Sequence, residues 1–174
     1  CFFFMRVFDR PLPAGFFLTI PPQDIIMIAS YKTGDTMDDY FNIRLADDDI
    51  RAISSIGLAH LGDAVYELLV RAYLCAHGRA TGKGLHRAAV ELVRAPSQAV
   101  RADRILPLLT EAELAVYKRG RNAHVNTIPH NASRTDYLKA TALECLLGHL
   151  YLRGERERIS QLFAVMMEED EHAT

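Results

Sequence analysis

Two carboxylates stand where a carboxylate is expensive: Asp63 in LAHLGDAVYELL and Glu144 in ATALECLLGHL, both segments with the apolar spacing of buried helix. An ionised carboxylate removed from water needs a cation, hydrogen bonds or a shifted pKa. Each is also accompanied by a glycine, Gly62 directly before Asp63 and Gly148 one turn after Glu144. Glycine inside a helix costs roughly 1 kcal/mol relative to alanine, so its presence points to a close approach of backbones. If the two helices cross at these glycines, the carboxylates converge. A divalent ion with oxygen ligands would then remove their repulsion. Magnesium suits such a pair, because it binds through one or two carboxylates, keeps several waters and can activate water for attack on phosphate. The competing expectation is that Asp63 or Glu144 is simply paired with a base such as Arg71 or Lys139.

A second stretch, VYKRGRNAH at 116–124, gathers Lys118, Arg119 and Arg121 at the end of a helix, followed by Asn122. Cations are favourable at a helix C-terminus in their own right. Beside a metal site, they are also what contacts to a phosphate backbone require. The histidines His60, His86, His124 and His130 form neither an HD pair nor an HxxxH pair, and are expected at the surface or at helix ends. Cys145 is expected as a small core residue.

The elements that must position these groups read as consecutive helices. Asp47 to Asp49 favour a helix start and a run to about Ser55. A long helix is expected over 57–77, burying Leu58, Leu61, Val65, Leu68, Leu69 and Ala72, with Gly78 as its stop. One over 84–94 ends before Pro96, and Ser97 caps the next, to about 106. Thr110 with Glu113 has capping-box spacing and opens a helix to about Asn122. Residues 124–133 read as a loop, 134–153 as a second long helix and 155–168 as the last. Residues 1–36 are aromatic and Pro-rich without helical period, and are expected to be an extension with little stable structure. Met37 is the expected start of the folded domain, 37–168, and 169–174 a fraying acidic tail.

At 174 residues and 49% hydrophobic content the chain can bury one substantial core. The net charge of −2 is unevenly spread: residues 1–50 carry 4 Lys/Arg against 8 Asp/Glu, whereas 79–139 carry 11 against 5. A basic middle can therefore meet a polyanion on a chain that is acidic as a whole. Three cysteines without a CxxC argue for a reducing, cytoplasmic setting rather than a disulfide framework or a zinc ribbon. No run of 18 apolar residues occurs, so no membrane partner is expected.

Four stretches in this order, LAHLGDAVYELLVRAYL, LHRAAVELVRAPSQA, YKRGRNAH and ATALECLLGHLYLRGERERISQL, resemble the Mini-ribonuclease III branch of the ribonuclease III family over about residues 47–167. The resemblance implies an all-α helical bundle of the ribonuclease III endonuclease type. It implies a homodimer that cleaves double-stranded RNA with Mg2+ and matures precursor 23S ribosomal RNA. Asp63 matches the catalytic aspartate of the LGDA-type motif, and Glu144 the metal-binding glutamate of the FEALLG-type motif, with Leu143 where Phe is common. Lys118, Arg119, Arg121 and Asn122 match the KRGRNA stretch and are expected to touch RNA, with Lys83 and Arg87 as further phosphate contacts. Full-length ribonuclease III has a glutamate where this chain has Ile56 and an aspartate where it has Thr141, so its four-carboxylate cluster is reduced to two. Glu67 is either an added ligand or a salt-bridged surface residue.

The expected function is thus a Mg2+-dependent endoribonuclease leaving 5′-phosphomonoesters. A non-catalytic RNA-binding scaffold of the same fold is the alternative. An all-α nucleotide pyrophosphohydrolase is a weaker rival, because its acidic ExxE pattern occurs only as Glu168 and Glu171 in the tail.

Overall fold

A computed structural model describes residues 39–77, 82–123 and 133–168; the Gly78 stop, the loop at 124–132 with His124 and His130, the extension 1–36 and the tail lie outside them. Contacts divide the chain into a unit from Arg44 to Thr174 and another from Phe2 to Ile43. In the second, Asp39 caps a turn by accepting from the amides of Phe41 and Asn42 at 3.0 and 3.3 Å.

The unit from Arg44 is built of α1 (Asp47–Ala52), α2 (Ser55–Ala76), α3 (Gly82–Val93), α4 (Ala95–Ile105) with a 3-10 turn Leu106–Leu108, α5 (Glu111–Arg121), α6 (Arg134–Leu152) and α7 (Arg156–Met167). The described residues contain no strand. Local chemistry explains most of the boundaries. Ser54 Oγ accepts from the Gly57 amide and Ser133 Oγ from the Asp136 amide, which satisfies an orphan donor at the start of each long helix. Thr110 and Glu113 form the expected capping box. Glu113 goes further: Arg158 on α7 grips both its oxygens at 2.7 and 2.9 Å and also donates to the Leu108 carbonyl. That bidentate pair holds the carboxyl of Glu113 below the usual glutamate range and ties α7 to the start of α5.

Two boundaries differ from expectation, the first being that α1 ends at Ala52 and not at about Ser55, with Ser54 capping α2. α4 starts at Ala95 with Arg94 as its N-cap and Pro96 in the first turn, so Ser97 lies inside the helix and does not cap it. Proline is compatible with the first turn, where no intrahelical N–H bond is lost. The Ser97 hydroxyl instead donates to the Glu91 carbonyl at 2.6 Å, closing the corner between α3 and α4.

The centre of the bundle is α6. Residues 140–143, 145–148, 150 and 152 are all buried, so apolar surface surrounds the helix rather than forming one stripe. α2, α4, α5 and α7 pack around it, α2 most extensively. The face that α2 turns inward is Leu58, Ala59, Gly62, Val65, Tyr66, Val70 and Leu74. This is a rotation from the expected stripe: Ala72 is exposed and Leu68 is 55% exposed. The cause is Gly62. A Cβ at that position would lie 1.7 Å from the Glu144 carbonyl oxygen, and one at Gly148 would lie 2.1 Å from that of Leu58. The two helices cross backbone to backbone, and the crossing sets the rotation of α2 (hydrophobicity alone would favour the leucine-rich side).

Gly62→Ala should therefore destabilise the fold by about 3 kcal/mol or more despite the roughly 1 kcal/mol that alanine gains in helix propensity. Gly148→Ala should behave alike. Gly82→Ala, where a Cβ meets nothing within 4 Å, should be neutral or stabilising. Urea unfolding midpoints of the three variants test this; a Gly62→Ala protein as stable as Gly82→Ala would refute the crossing.

Candidate active site at the helix crossing

Gly62 and Gly148 bring α2 and α6 together at the turn that carries both carboxylates. Asp63 follows Gly62 on α2, and Glu144 belongs to the turn of α6 whose carbonyl Gly62 touches. Both side chains are partly buried. Desolvation pushes Glu144 up to about 7, and the negative charge of Asp63 adds to the shift. Desolvation likewise raises Asp63, and the Glu67 carboxylate raises it further. The sequence-identified pair is thus brought within electrostatic reach across two helices. The bases expected as alternative partners are occupied: Arg71 pairs with Glu67 one turn away, and Lys139 with Asp103 at 2.6 Å. Glu67 accordingly forms part of a surface ion pair.

Residues that sequence reasoning did not assign to the site surround Glu144. Gln98 on α4 is 1% exposed, and its Nε2 donates to Glu144 Oε1 at 3.0 Å and to the Val93 carbonyl at 2.9 Å. Its signal was present: with α4 starting at Ala95, Gln98 shares the inward face with Ala102 and Ile105 at four- and seven-residue spacing. A start at Ser97 hides that face by leaving Gln98 at the helix end. Tyr137 stands two turns before Glu144 on α6; burial first, then the negative charges of Glu144 and Asp63, raise its hydroxyl above the ordinary value. The Tyr66 hydroxyl, pushed up to about 12 mainly by burial, donates to the Leu92 carbonyl at 3.2 Å.

The basic stretch ends α5. Gly120 is buried, and a Cβ there would lie 2.6 Å from Cys145 Cβ on α6, the residue after Glu144. This contact fixes Lys118, Arg119, Arg121 and Asn122 on the exposed end of the helix, next in the fold to the turn of α6 that bears the carboxylate. Arg119 is partly committed, donating to the Ile53 carbonyl at 3.2 Å and so joining α5 to the α1–α2 junction. Lys83 and Arg87 are exposed and line a groove of α3 alone, with His86, Val90 and Glu91. Cys145 is buried as expected, its thiol raised by burial.

The donor set fits a hard divalent cation. Two carboxylates carry like charge in a partly desolvated place, and each holds its proton more tightly than in water, which a cation would reverse. Among the described residues no group of three or more His, Cys, Asp or Glu gathers, so the pair stands as two.

Because Glu144 is raised from 4.5 to about 7, the folded state binds its proton more tightly than the unfolded chain does. Stability of the metal-free protein should therefore fall as pH rises through that window, by about 1–3 kcal/mol from this group. Glu144→Gln should be more stable than the unsubstituted protein at pH 8, with little gain at pH 5. Equal unfolding midpoints at pH 8 without metal would contradict the desolvation of Glu144.

Comparison with known proteins identifies the family. Residues 57–155, from before Asp63 to beyond Glu144, match the ribonuclease III domain. A protein named Mini-ribonuclease 3 from Enterococcus faecalis is 40% identical over 116 residues, covering 66% of this chain and 88% of the relative. Another of that name from Brevibacillus brevis is 47% identical over 105 residues, covering 60% and 78%. A crystal structure of a Fusobacterium nucleatum protein superposes with a TM-score of 0.62 at 32% identity, covering 67% of this chain and 93% of that one. No helix among the described residues is long and apolar enough to cross a membrane. A match over the whole carboxylate-bearing core, with relatives aligned over most of their length, makes this chain a member of the ribonuclease III family, an endoribonuclease.

Proposed function

We propose that the chain is a magnesium-dependent nuclease of double-stranded RNA that acts as a homodimer in the cytoplasm and matures the ends of precursor 23S ribosomal RNA. The observation that carries the reading is the convergence of Asp63 and Glu144 across the Gly62–Gly148 crossing. These two residues would hold the ion. When bound, magnesium supplies Lewis acidity for an attacking water and for the leaving 3′ oxygen, giving 5′-phosphate ends. The protein's own part is orientation. Lys118, Arg121 and Asn122 offer phosphate donors at the end of α5, Arg119 adds charge while bracing that end, and Lys83 and Arg87 extend the basic surface on α3. Contacts of this kind recognise A-form shape and backbone with little sequence content, and weaken steeply with salt.

The dimer draws support from α2. Leu61, Ala64, Leu68 and Ala72 share one side of the helix, which this chain leaves at least partly open, with Leu68 55% and Ile56 46% exposed. An apolar side of that kind suits a second copy of the chain. Two sites related by a twofold axis match the two strands of a duplex.

Incubation with a perfect RNA duplex and Mg2+ should give cutting that EDTA abolishes. Asp63→Asn and Glu144→Gln should each lower the rate by more than about 100-fold while duplex binding remains. Binding without cutting by the unsubstituted protein would favour a scaffold instead. Cells lacking the protein should accumulate unprocessed large-subunit RNA ends; normal ends would refute that substrate.

Light scattering should show a dimer that Leu68→Glu converts to a monomer. A monomeric unsubstituted protein would overturn the homodimer.

A further inference from the structure

We propose that Gln98 is the positioning residue of this site: its amide holds one oxygen of Glu144 in place and leaves the other for the cation. The inference rests on the metal-dependent reading above. Its geometry comes from three elements. Nε2 has two N–H groups, and both are used, one on the carbonyl of Val93, the last residue of α3, and one on Glu144 Oε1 of α6. The Val93 carbonyl can only accept, so it decides which end of the amide faces inward, and a flipped Gln98 would set oxygen against two acceptors. The side chain belongs to α4, is 1% exposed, and sits in a helix whose backbone is anchored at that point by the Gln98 amide to the Arg94 carbonyl at 3.0 Å. A short, buried side chain held at both ends has few rotamers to lose. It therefore restricts Glu144 more than a surface lysine or arginine would.

The chemistry favours a neutral donor here. A cationic partner would compete with the metal for the carboxylate and would itself be repelled by the ion. An amide stabilises the ionised carboxylate through one hydrogen bond and adds no charge. The deprotonated carboxylate that this hydrogen bond favours is the form a metal ion binds. Gln98 Oε1 is buried and has no hydrogen-bond partner among the described residues. An unsatisfied buried acceptor is costly, which speaks for a gain elsewhere that keeps an amide here instead of an apolar side chain of the same length.

The test uses Gln98→Met, equal in length and without a donor, in the full chain, with Mn2+ as the probe followed by electron paramagnetic resonance. Mn2+ affinity should fall by about 10- to 100-fold, and the half-saturating Mg2+ concentration for duplex cleavage should rise by a similar factor. The KM for RNA should stay unchanged, and excess Mg2+ should recover most of the cutting. A merely structural amide would lower the thermal midpoint of the metal-free protein and leave Mn2+ affinity alone. Affinity within about twofold of the unsubstituted protein would overturn the role of Gln98 while leaving the nuclease reading intact. Failure of the unsubstituted protein to bind Mn2+ would overturn both. If Gln98→Met does not fold, the unsubstituted protein still decides: the side-chain amide resonances of Gln98 should shift on titration with Mg2+, and unmoved resonances would refute the proposal.

Discussion

The structure depends on a contact made without side chains. At the crossing of α2 and α6, Gly62 faces the carbonyl of Glu144 and Gly148 faces that of Leu58, at separations that any Cβ would violate. Side-chain packing normally holds helix axes 8–10 Å apart. Two glycines remove that spacer on both helices at the same level. Three consequences follow together: α2 is rotated to present Gly62 and leave Leu68 outside, the central helix is closed in on every side, and the adjacent carboxylates are drawn into each other's field. Gly120 repeats the device on the opposite flank of α6, against Cys145 and Ala142, and so seats the basic end of α5 beside the same turn.

The price of this arrangement is electrostatic. Desolvation is the first cause of the upward shift at both Asp63 and Glu144, with like-charge repulsion from Asp63 second at Glu144. In a packed apolar helix such a pair lowers its energy by taking up a proton or a cation. Burial and the charge of Asp63 make Glu144 hold its proton more tightly than a carboxylate in water does, and a bound cation would reverse that preference. The other charged groups of the fold are handled differently. Glu113 is given two hydrogen bonds from Arg158, and Glu67, Asp103 and Asp47 are given surface partners in Arg71, Lys139 and Arg153. At the crossing, Glu144 is supported by the neutral amide of Gln98.

Much of this was legible in the sequence, because it follows from local chemistry. The capping box at Thr110 and Glu113, the extents of the two long helices, and the cost of a carboxylate in LAHLGDAVYELL and ATALECLLGHL are all properties of short stretches. The glycines announced a close approach. What escaped was set by tertiary geometry. Hydrophobic spacing in α2 favours Leu61, Leu68 and Ala72 as strongly as the true inner face, since the helix is apolar on more than one side, and nothing local says that Gly62 must point inward. Ser97 looked like a cap because serine before a helix usually is one. Its hydroxyl instead closes a corner with Glu91, and the three-residue error in the start of α4 concealed Gln98.

The two positions where the resemblance to full-length ribonuclease III leads one to expect further carboxylates are filled by uncharged residues. Thr141 occupies one of them, 5% exposed, and its hydroxyl donates to the Tyr137 carbonyl at 3.0 Å, spending itself on the backbone of α6. Ile56 occupies the other, 46% exposed near the start of α2. Neither residue can bring a charged ligand. Two unit charges about 4 Å apart repel by about 4 kcal/mol at an effective dielectric of 20, and each added carboxylate multiplies the number of such terms. Burial and the charge of Asp63 already raise Glu144, and each further carboxylate would add to that repulsion. Fewer carboxylates also mean a weaker hold on the cation, and that places more weight on orientation. A short rigid amide fixing Glu144, and a backbone crossing that fixes the helix carrying it, provide that orientation without adding charge.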